Sequence, residues 1–501
     1  MAEAKKSEEQ EFTGWRSVFW PIHSFELKKF LPMALMMMCI LFTYSMLRGM
    51  KDSLVVTTMG EDTIPTLKLW FVLPSAVLFM LVYSKLSSVF SKDQVFYMVT
   101  SFFLVYFIAF ATVLYPCHSY LQADFSGIEN EALRRVMRPV GNWVFSSFYV
   151  MAELWGSAMV SLMFWRFAND VTSLKESKRF YAMFGFVANG ALIISGLFLK
   201  NINGGNSSGD EWAALPYLIA SVSVACVIII SLYYWLNNSV LKDPRFFNPD
   251  EIKKPKKKVK LSLGESLNYI LHSKYLGFIV LLVVCYGISI NLVEVMWKGQ
   301  AKLMYPTKDA FNSFMGGLQI WTGFATIFFM LVGANVLRRC SWFTGAIATP
   351  AIIFITGLIF FGFIIFKETL TPYFSSSEGL TVLGVIVGVG LIQNVLSKGV
   401  KYSMFDPTKE MSYIPLDDEL KSKGKAAVDV IGGRAGKSGG ALIQFLLLNV
   451  IFVGSSLVEL APVIAGIFVV ILLVWFYAVS GLNKEFLKIT SEQQQNSNNN
   501  K

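Results

Sequence analysis

The sequence predicts an all-α integral membrane protein of twelve transmembrane helices, grouped as six and six. Three observations carry that expectation. Hydrophobic residues make up 54% of the chain and charged residues 16%, with a mean hydropathy of +0.52. A soluble domain carries about 25% charged residues, so most of this surface must face lipid. Apolar stretches long enough to cross a bilayer recur from Leu31 to Leu482, interrupted midway by one lysine-rich connection. A helix needs about 20 residues to cover the ~30 Å hydrocarbon core. Barrel strands would be about ten residues long and alternating, unlike these uniformly apolar runs.

In chain order, the first six spans are expected at 31–47, 69–90, 95–115, 140–165, 180–199 and 213–235. The last six are expected at 275–297, 314–336, 343–366, 379–397, 438–456 and 461–482. The first is short, and charge obscures the start of the eleventh. The resulting segments are an N-terminal piece (1–30), a first six-helix half (31–236), a basic linker (237–274), a second half (275–482) and a polar, disordered tail (483–501). No apolar segment precedes Leu31 as a signal peptide would. Glu3, Glu8, Glu9 and Glu11 are unlike an organelle transit peptide, which is poor in acids.

Orientation follows from lysine and arginine. With both termini in the cytoplasm, the cytoplasmic segments hold 33 of the 44 Lys and Arg residues, which fits the retention of positive charge on that side. Arg134, Arg135 and Arg138, between spans three and four, run against the bias. The cluster Lys253, Lys254, Lys256, Lys257, Lys258 and Lys260 could meet anionic lipid or nucleic acid. It lacks interleaved aromatics and any DNA-binding motif, so it is read as a solvated linker and no nucleic-acid partner is expected. Asn206-Ser207-Ser208 matches a glycosylation acceptor, a match that would be inert if the chain were bacterial.

A faint internal echo supports two related halves. Gly190-Ala191-Leu192-Ile193 in the fifth span recurs as Gly440-Ala441-Leu442-Ile443 in the eleventh, 250 positions later. Six spans, a basic loop and six more is the plan of carriers whose halves are related by an axis along the membrane normal, with the site between them.

Charges at membrane depth are costly and mark functional positions by default. Arg48 and Lys51 are three apart at the end of the first span. Snorkelling at a helix end is the plain alternative, but Ser53 to Met59 stays mostly apolar or hydroxylated, so the helix is expected to continue and hold both within the membrane. Glu153 lies mid-span, more than ten residues from Arg138 and from Arg166, with Tyr149 and Gly156 within one turn as a polar face. A carboxylate there costs about 2.5–3.5 kcal/mol on insertion scales unless paired, protonated or hydrated. Asn291, Glu294 and Lys298 fall at i, i+3 and i+7 on one face of the seventh span. The alternative there is a local Glu294–Lys298 pair at a helix end, with Trp297 in the interfacial belt.

Gly432-Gly433-Arg434-Ala435-Gly436-Lys437-Ser438-Gly439-Gly440 superficially suggests a phosphate-cradling loop. The Walker spacing needs glycine where Ile431 stands, and no strand precedes it. The glycines suit a close helix-packing seam instead, with Arg434 and Lys437 projecting into a cavity; fork and point charge both suit phosphate. The five cysteines are scattered, and His23, His118 and His272 form no cluster, so no metal, cofactor or enzyme activity is expected.

These residues together resemble the ATP/ADP antiporters of obligate intracellular bacteria, shared with plastid nucleotide transporters. The resemblance covers essentially the whole chain. It rests on Lys51-Asp52-Ser53-Leu54-Val55-Val56-Thr57, Glu153-Leu154-Trp155-Gly156-Ser157, Asn291-Leu292-Val293-Glu294-Val295 and the stretch from Lys401 to Gly440. It implies a major-facilitator-like fold and exchange of external host ATP for internal ADP with inorganic phosphate. Four charged positions important in that family fall on Lys51, Glu153, Glu294 and Lys437. The expected phosphate ligands are therefore Lys51, Arg434, Lys437, Arg48 and Lys298. Glu153 and Glu294 are expected to pair with them, and Asn291 and Tyr149 to line the cavity. The pattern is closest to chlamydia-like bacteria. It implies a multi-pass protein of the inner membrane that functions as a monomer, its partners the lipid bilayer and its nucleotide substrates. A proton-coupled nucleotide importer of the same fold is the alternative.

Overall fold

The computed structural model describes residues 20–203, 212–247, 273–374, 381–416, 428 and 432–499. The basic cluster at 253–260, the glycosylation triplet and most of the N-terminal piece lie outside the described residues. Among the described residues every regular element is a helix. Spanning helices α1 to α6 are Leu27–Met59, Thr63–Val89, Lys92–Leu114, Trp143–Val171, Leu174–Asn203 and Leu215–Val240. Helices α7 to α10 are Lys274–Met304, Lys308–Arg339, Trp342–Ile365 and Val382–Ser412. Helix α11, Gly433–Leu446, continues as a π turn over Leu447–Ile451, and α12 is Ala461–Asn499, so that residues 483–499, expected as a disordered tail, instead prolong the last helix.

Local chemistry sets several starts. Ser91 opens α3 by accepting from the Gln94 amide while the Gln94 side chain accepts from the Ser91 amide. This reciprocal cap satisfies two otherwise orphaned donors. Ser273, Ser341 and Thr381 cap α7, α9 and α10 in the same first-turn position. Helix α1 does not stop at Arg48. It runs 33 residues to Met59, where Gly60 turns the chain with φ of +92°. At about 1.5 Å per residue this helix is roughly 50 Å long, well beyond the hydrocarbon core.

Polarity is inverted relative to a soluble protein. Leu78, Leu81, Val105, Phe328, Val470 and Leu473 are exposed, whereas Lys51, Asp52, Glu294 and Lys298 are buried. Exposed apolar area on that scale requires a lipid partner. The eleventh span is the shortest: its apolar part covers Ser438–Ile451, while eleven longer helices meet the length and apolarity of a membrane span.

The two sets of six meet along α5 and α8 and along α2 and α11, and α7 packs closely on α11 within the second set. Small residues permit the closest approaches. A Cβ on Gly196 of α5 would stand 2.5 Å from the Gly316 carbonyl oxygen of α8, and one on Gly316 would stand 2.7 Å from the Gly196 carbonyl. The expected seam in α11 is also present: Gly436 lies against Gly287, and a Cβ on Gly440 would sit 2.6 Å from Asn291 Cβ of α7. Backbones this close gain dispersion that no hydrophobic effect supplies within lipid. Gly196→Val should therefore separate α5 from α8. Overpacking of this kind costs about 1–3 kcal/mol, expected as a lowered midpoint of thermal unfolding in detergent, with Gly185→Ala, where a Cβ meets nothing within 4 Å, as the neutral control.

Candidate functional site

Three helices bring six charges into one continuous line. Lys51 of α1 donates to Asp52 Oδ1 at 2.9 Å and pairs with Glu153 Oε1 of α4 at 3.0 Å. Asp52 offers its second oxygen, Oδ2, to Lys298 Nζ of α7 at 2.8 Å. Lys298 also approaches Glu294 Oε1, one turn back on its own helix, at 3.3 Å. Arg48 closes the line with 2.9 Å from its Nη2 to Glu294 Oε1. The order is Glu153, Lys51, Asp52, Lys298, Glu294, Arg48: alternating in sign and balanced, three against three.

Helical spacing produces this arrangement. Arg48 and Lys51 are three residues apart and share a face of α1; Glu294 and Lys298 are four apart and share a face of α7. Asp52, next to Lys51, turns about 100° around α1 and so reaches α7. The Lys51 ammonium additionally lies 3.9 Å from the Tyr149 ring centroid, a favourable cation–π distance. Lys68 of α2 donates to Asn291 Oδ1 of α7 at 2.5 Å, while Asn291 Nδ2 donates to the Gly287 carbonyl at 2.8 Å.

A cavity of about 500 Å³ adjoins this line, with Arg48, Asp52, Glu153 and Glu294 in its wall. From there it extends along Val160 of α4, Gly185 and Asn189 of α5 and Met330 of α8, toward the end where α1, α5 and α7 begin. Lys398, Lys401 and Tyr402 of α10 form the facing wall. The opposite end is closed. Arg138 donates to the Met59 carbonyl at 2.7 Å and to Asp62 Oδ1 at 3.1 Å. Buried Arg135 reaches across to the second half, donating at 3.0 Å to the carbonyls of Leu448 and Ser455, with Glu131 at 2.7 Å. Ser53 Oγ donates to the Lys308 carbonyl at 2.8 Å.

The sequence-derived site is thus brought together in part. Arg48, Lys51, Glu153, Glu294 and Lys298 converge as expected, with Arg48, Glu153 and Glu294 at the cavity wall. Tyr149 and Asn291 are buried behind it, among the described residues outside the lining. Arg434 and Lys437 sit in the first turns of α11, and their side chains lie outside the described residues. Trp297 is not an interfacial belt residue: it is fully buried and donates to the Val387 carbonyl at 2.9 Å. Asp52, Lys68, Lys398 and Lys401 were not singled out from the sequence. Asp52 and Lys401 stand within motifs that carry the family resemblance, and Lys68 and Lys398 are the first charges beyond the apolar runs of their helices. The signal that finds them is continuation of apolar helix on both sides of the lysine.

A helical bundle in two sets of six, with charges of both halves around a central cavity, is a membrane protein of major-facilitator-like fold. Solved structures agree on the fold. The chain is similar to a bacterial homologue of the iron transporter ferroportin in its inward-facing state (12% identity, 92% of this chain and 100% of that one, TM-score 0.58). It is also similar to the nucleoside transporter NupG (8% identity, 89% and 99%, TM-score 0.57). The family described as TLC ATP/ADP transporter matches residues 5–486. ADP,ATP carrier protein 1 of Rickettsia prowazekii (strain Madrid E) is 46% identical over 96% of this chain and 97% of its own length. ADP,ATP carrier protein 1 of Chlamydia trachomatis serovar D is 47% identical over 97% and 94% respectively. The chain belongs to the TLC ATP/ADP transporter family.

Asp52 is shared by two buried lysines, so its loss should be felt at both. Truncating one partner of a buried pair costs about 3–5 kcal/mol because an uncompensated charge remains. Asp52→Asn should lower the thermal midpoint in detergent. Asp52→Asn combined with Lys298→Met should recover part of the loss, read as a non-additive double-mutant cycle.

Proposed function

We propose that this protein exchanges external ATP for internal ADP, accompanied by inorganic phosphate, by alternating access of a site between its halves. The single observation that carries the reading is the balanced line of six charges, four of them buried and Arg48 and Glu153 partly open to the cavity, joining α1, α4 and α7. The names of the relatives supply the substrate class. ATP carries close to four negative charges and ADP about three, so a low-dielectric chamber needs fixed cations to hold either. Lys51, Lys298 and Arg48, with Arg434 and Lys437 of α11, are the cations assigned to the phosphates. Glu153 and Glu294 are the carboxylates that occupy those cations when no nucleotide is present. Tyr149 and Asn291 support the line from behind. No metal or further cofactor is assigned.

The halves 31–236 and 275–482 are taken to rock about this site, joined by the basic linker 237–274. The protein is assigned to the inner membrane as a monomer, with both termini in the cytoplasm. On that orientation the cavity faces the cytoplasm, and the arginines of Arg135 and Arg138 close the outer side. An incoming nucleotide replaces carboxylate oxygens with phosphate oxygens on the same lysines. Differential binding of this kind is what shifts a two-state equilibrium. An empty carrier stays locked because its own carboxylates hold it, so net flux without a counter-substrate is suppressed.

Exchange of labelled ATP against internal ADP in reconstituted vesicles tests the assignment. Lys51→Gln, Lys437→Gln and Glu153→Gln are each expected to lower exchange at least tenfold at matched protein levels. Wild-type exchange in all three removes the site assignment. Uptake that needs no internal ADP and collapses with a proton uncoupler removes the antiport mechanism.

A further inference from the structure

The cations around the cavity are not equivalent. Lys51 and Lys298 each touch two carboxylates, Arg48 touches Glu294, and Lys401 pairs with Asp406 at 3.0 Å. Lys68 is held by the Asn291 amide. Lys398 is different. The residue is 9% exposed, it lines the cavity, and among the described residues it makes no ion pair or hydrogen bond. The charges acting on it are those of Arg48, Glu294, Lys298 and Asp52.

Snorkelling cannot account for this lysine. It is buried and lines the cavity between the halves, not the lipid-facing surface along which a stem would run to an interface. Its polar neighbours on the helix are engaged with backbone: Asn394 donates to the Gly390 carbonyl at 2.9 Å and Ser397 to the Asn394 carbonyl at 3.0 Å. Immediately beyond it, α10 widens into a π turn over Lys401–Phe405. Such turns shift side-chain register within a helix and recur at functional sites. Here the turn leaves Lys398, Lys401 and Tyr402 all in the cavity wall.

We propose that Lys398 is the residue that binds the phosphate chain of an incoming nucleotide first, with Arg48 opposite it on the wall contributed by the first half. The inference rests on the nucleotide-carrier reading and deepens it. Lys51 and Lys298 must shed carboxylates before they can bind phosphate, whereas Lys398 has none to shed. A buried cation without a partner is a cost to the empty protein, and that cost is relieved by an anion. Lys398 therefore sets the preference for nucleotides by their number of phosphates.

Affinities and thermal midpoints of the purified full-length protein, measured with ATP, ADP, AMP and inorganic triphosphate, test this. Wild-type affinity is expected to rise with phosphate number. In Lys398→Met the substrate-free midpoint should rise, because an uncompensated charge is gone. ATP and inorganic triphosphate should bind at least tenfold more weakly and AMP nearly as before, and Lys398→Arg should restore phosphate dependence. ATP binding within twofold of wild type in Lys398→Met overturns the inference and leaves the exchange reading standing. A lowered midpoint in Lys398→Met, with binding lost equally in Lys398→Arg, overturns it in favour of a structural lysine. A wild-type protein that binds no nucleotide overturns both readings.

Discussion

The bundle depends on how Asp52 divides its two oxygens between Lys51 of α1 and Lys298 of α7. Each of these three charges would be prohibitive alone at membrane depth. Joined, and extended to Glu153, Glu294 and Arg48, they form a line in which no charge lacks an opposite neighbour. The interaction is also architectural. Helices α1 and α7 each open one half, so the carboxylate of Asp52 holds the two halves together at their polar centre. Around it, contact between halves is made by small residues such as Gly196 and Gly316, which approach without interlocking. Those surfaces give proximity, and the charge line gives register.

The two ends of the bundle are treated differently. Toward the start of α1 a cavity separates α4, α5, α8 and α10. Toward the other end Arg135 and Arg138 satisfy backbone carbonyls on both halves as well as Asp62 and Glu131. A guanidinium donates in several directions from one plane, so a single buried arginine can close a gap between helices that no apolar side chain would bridge. On the proposed orientation Arg135 runs against the charge bias of the loops, and its burial accounts for that: the residue is 7% exposed and its charge is spent within the protein.

Much of this was legible in the sequence, because the cost of a charge in lipid is written into where charges are allowed. Twelve apolar runs and the mid-span Glu153 and Glu294 follow from that rule; Arg48, Lys51 and Lys298, just past the ends of their spans, needed helix continuation, a shared face or the family resemblance as well. What was not legible has a common cause. A span drawn from apolarity ends at the first charge, so Lys68 fell just before the second span and Lys398 just after the tenth. The helices run on regardless, α2 from Thr63 and α10 to Ser412. Asp52 was hidden differently: beside Lys51 it reads as half of a local pair, and only tertiary structure reveals Lys298 on its other oxygen. The alternative that set Trp297 in an interfacial belt rested on composition alone, since a tryptophan near a span's end suits an interface. Burial and a bond to Val387 fix it inside the second half instead.

On the exchange reading, the balance of the charge line decides what kind of carrier this is. A site whose cations were simply exposed would bind polyanions tightly and release them slowly, and it would have no reason to wait for one before changing shape. A site whose cations are already matched by the protein's own carboxylates binds only by substitution. The nucleotide must then contribute more to the lysines than Glu153 and Glu294 do, and the displaced carboxylates need water or a new partner. The net gain is a difference between two large terms, which suits a carrier that has to let go on the other side. Lys398 fits the same logic from the opposite direction: one cation left unmatched gives the anion a place to land before any carboxylate has moved.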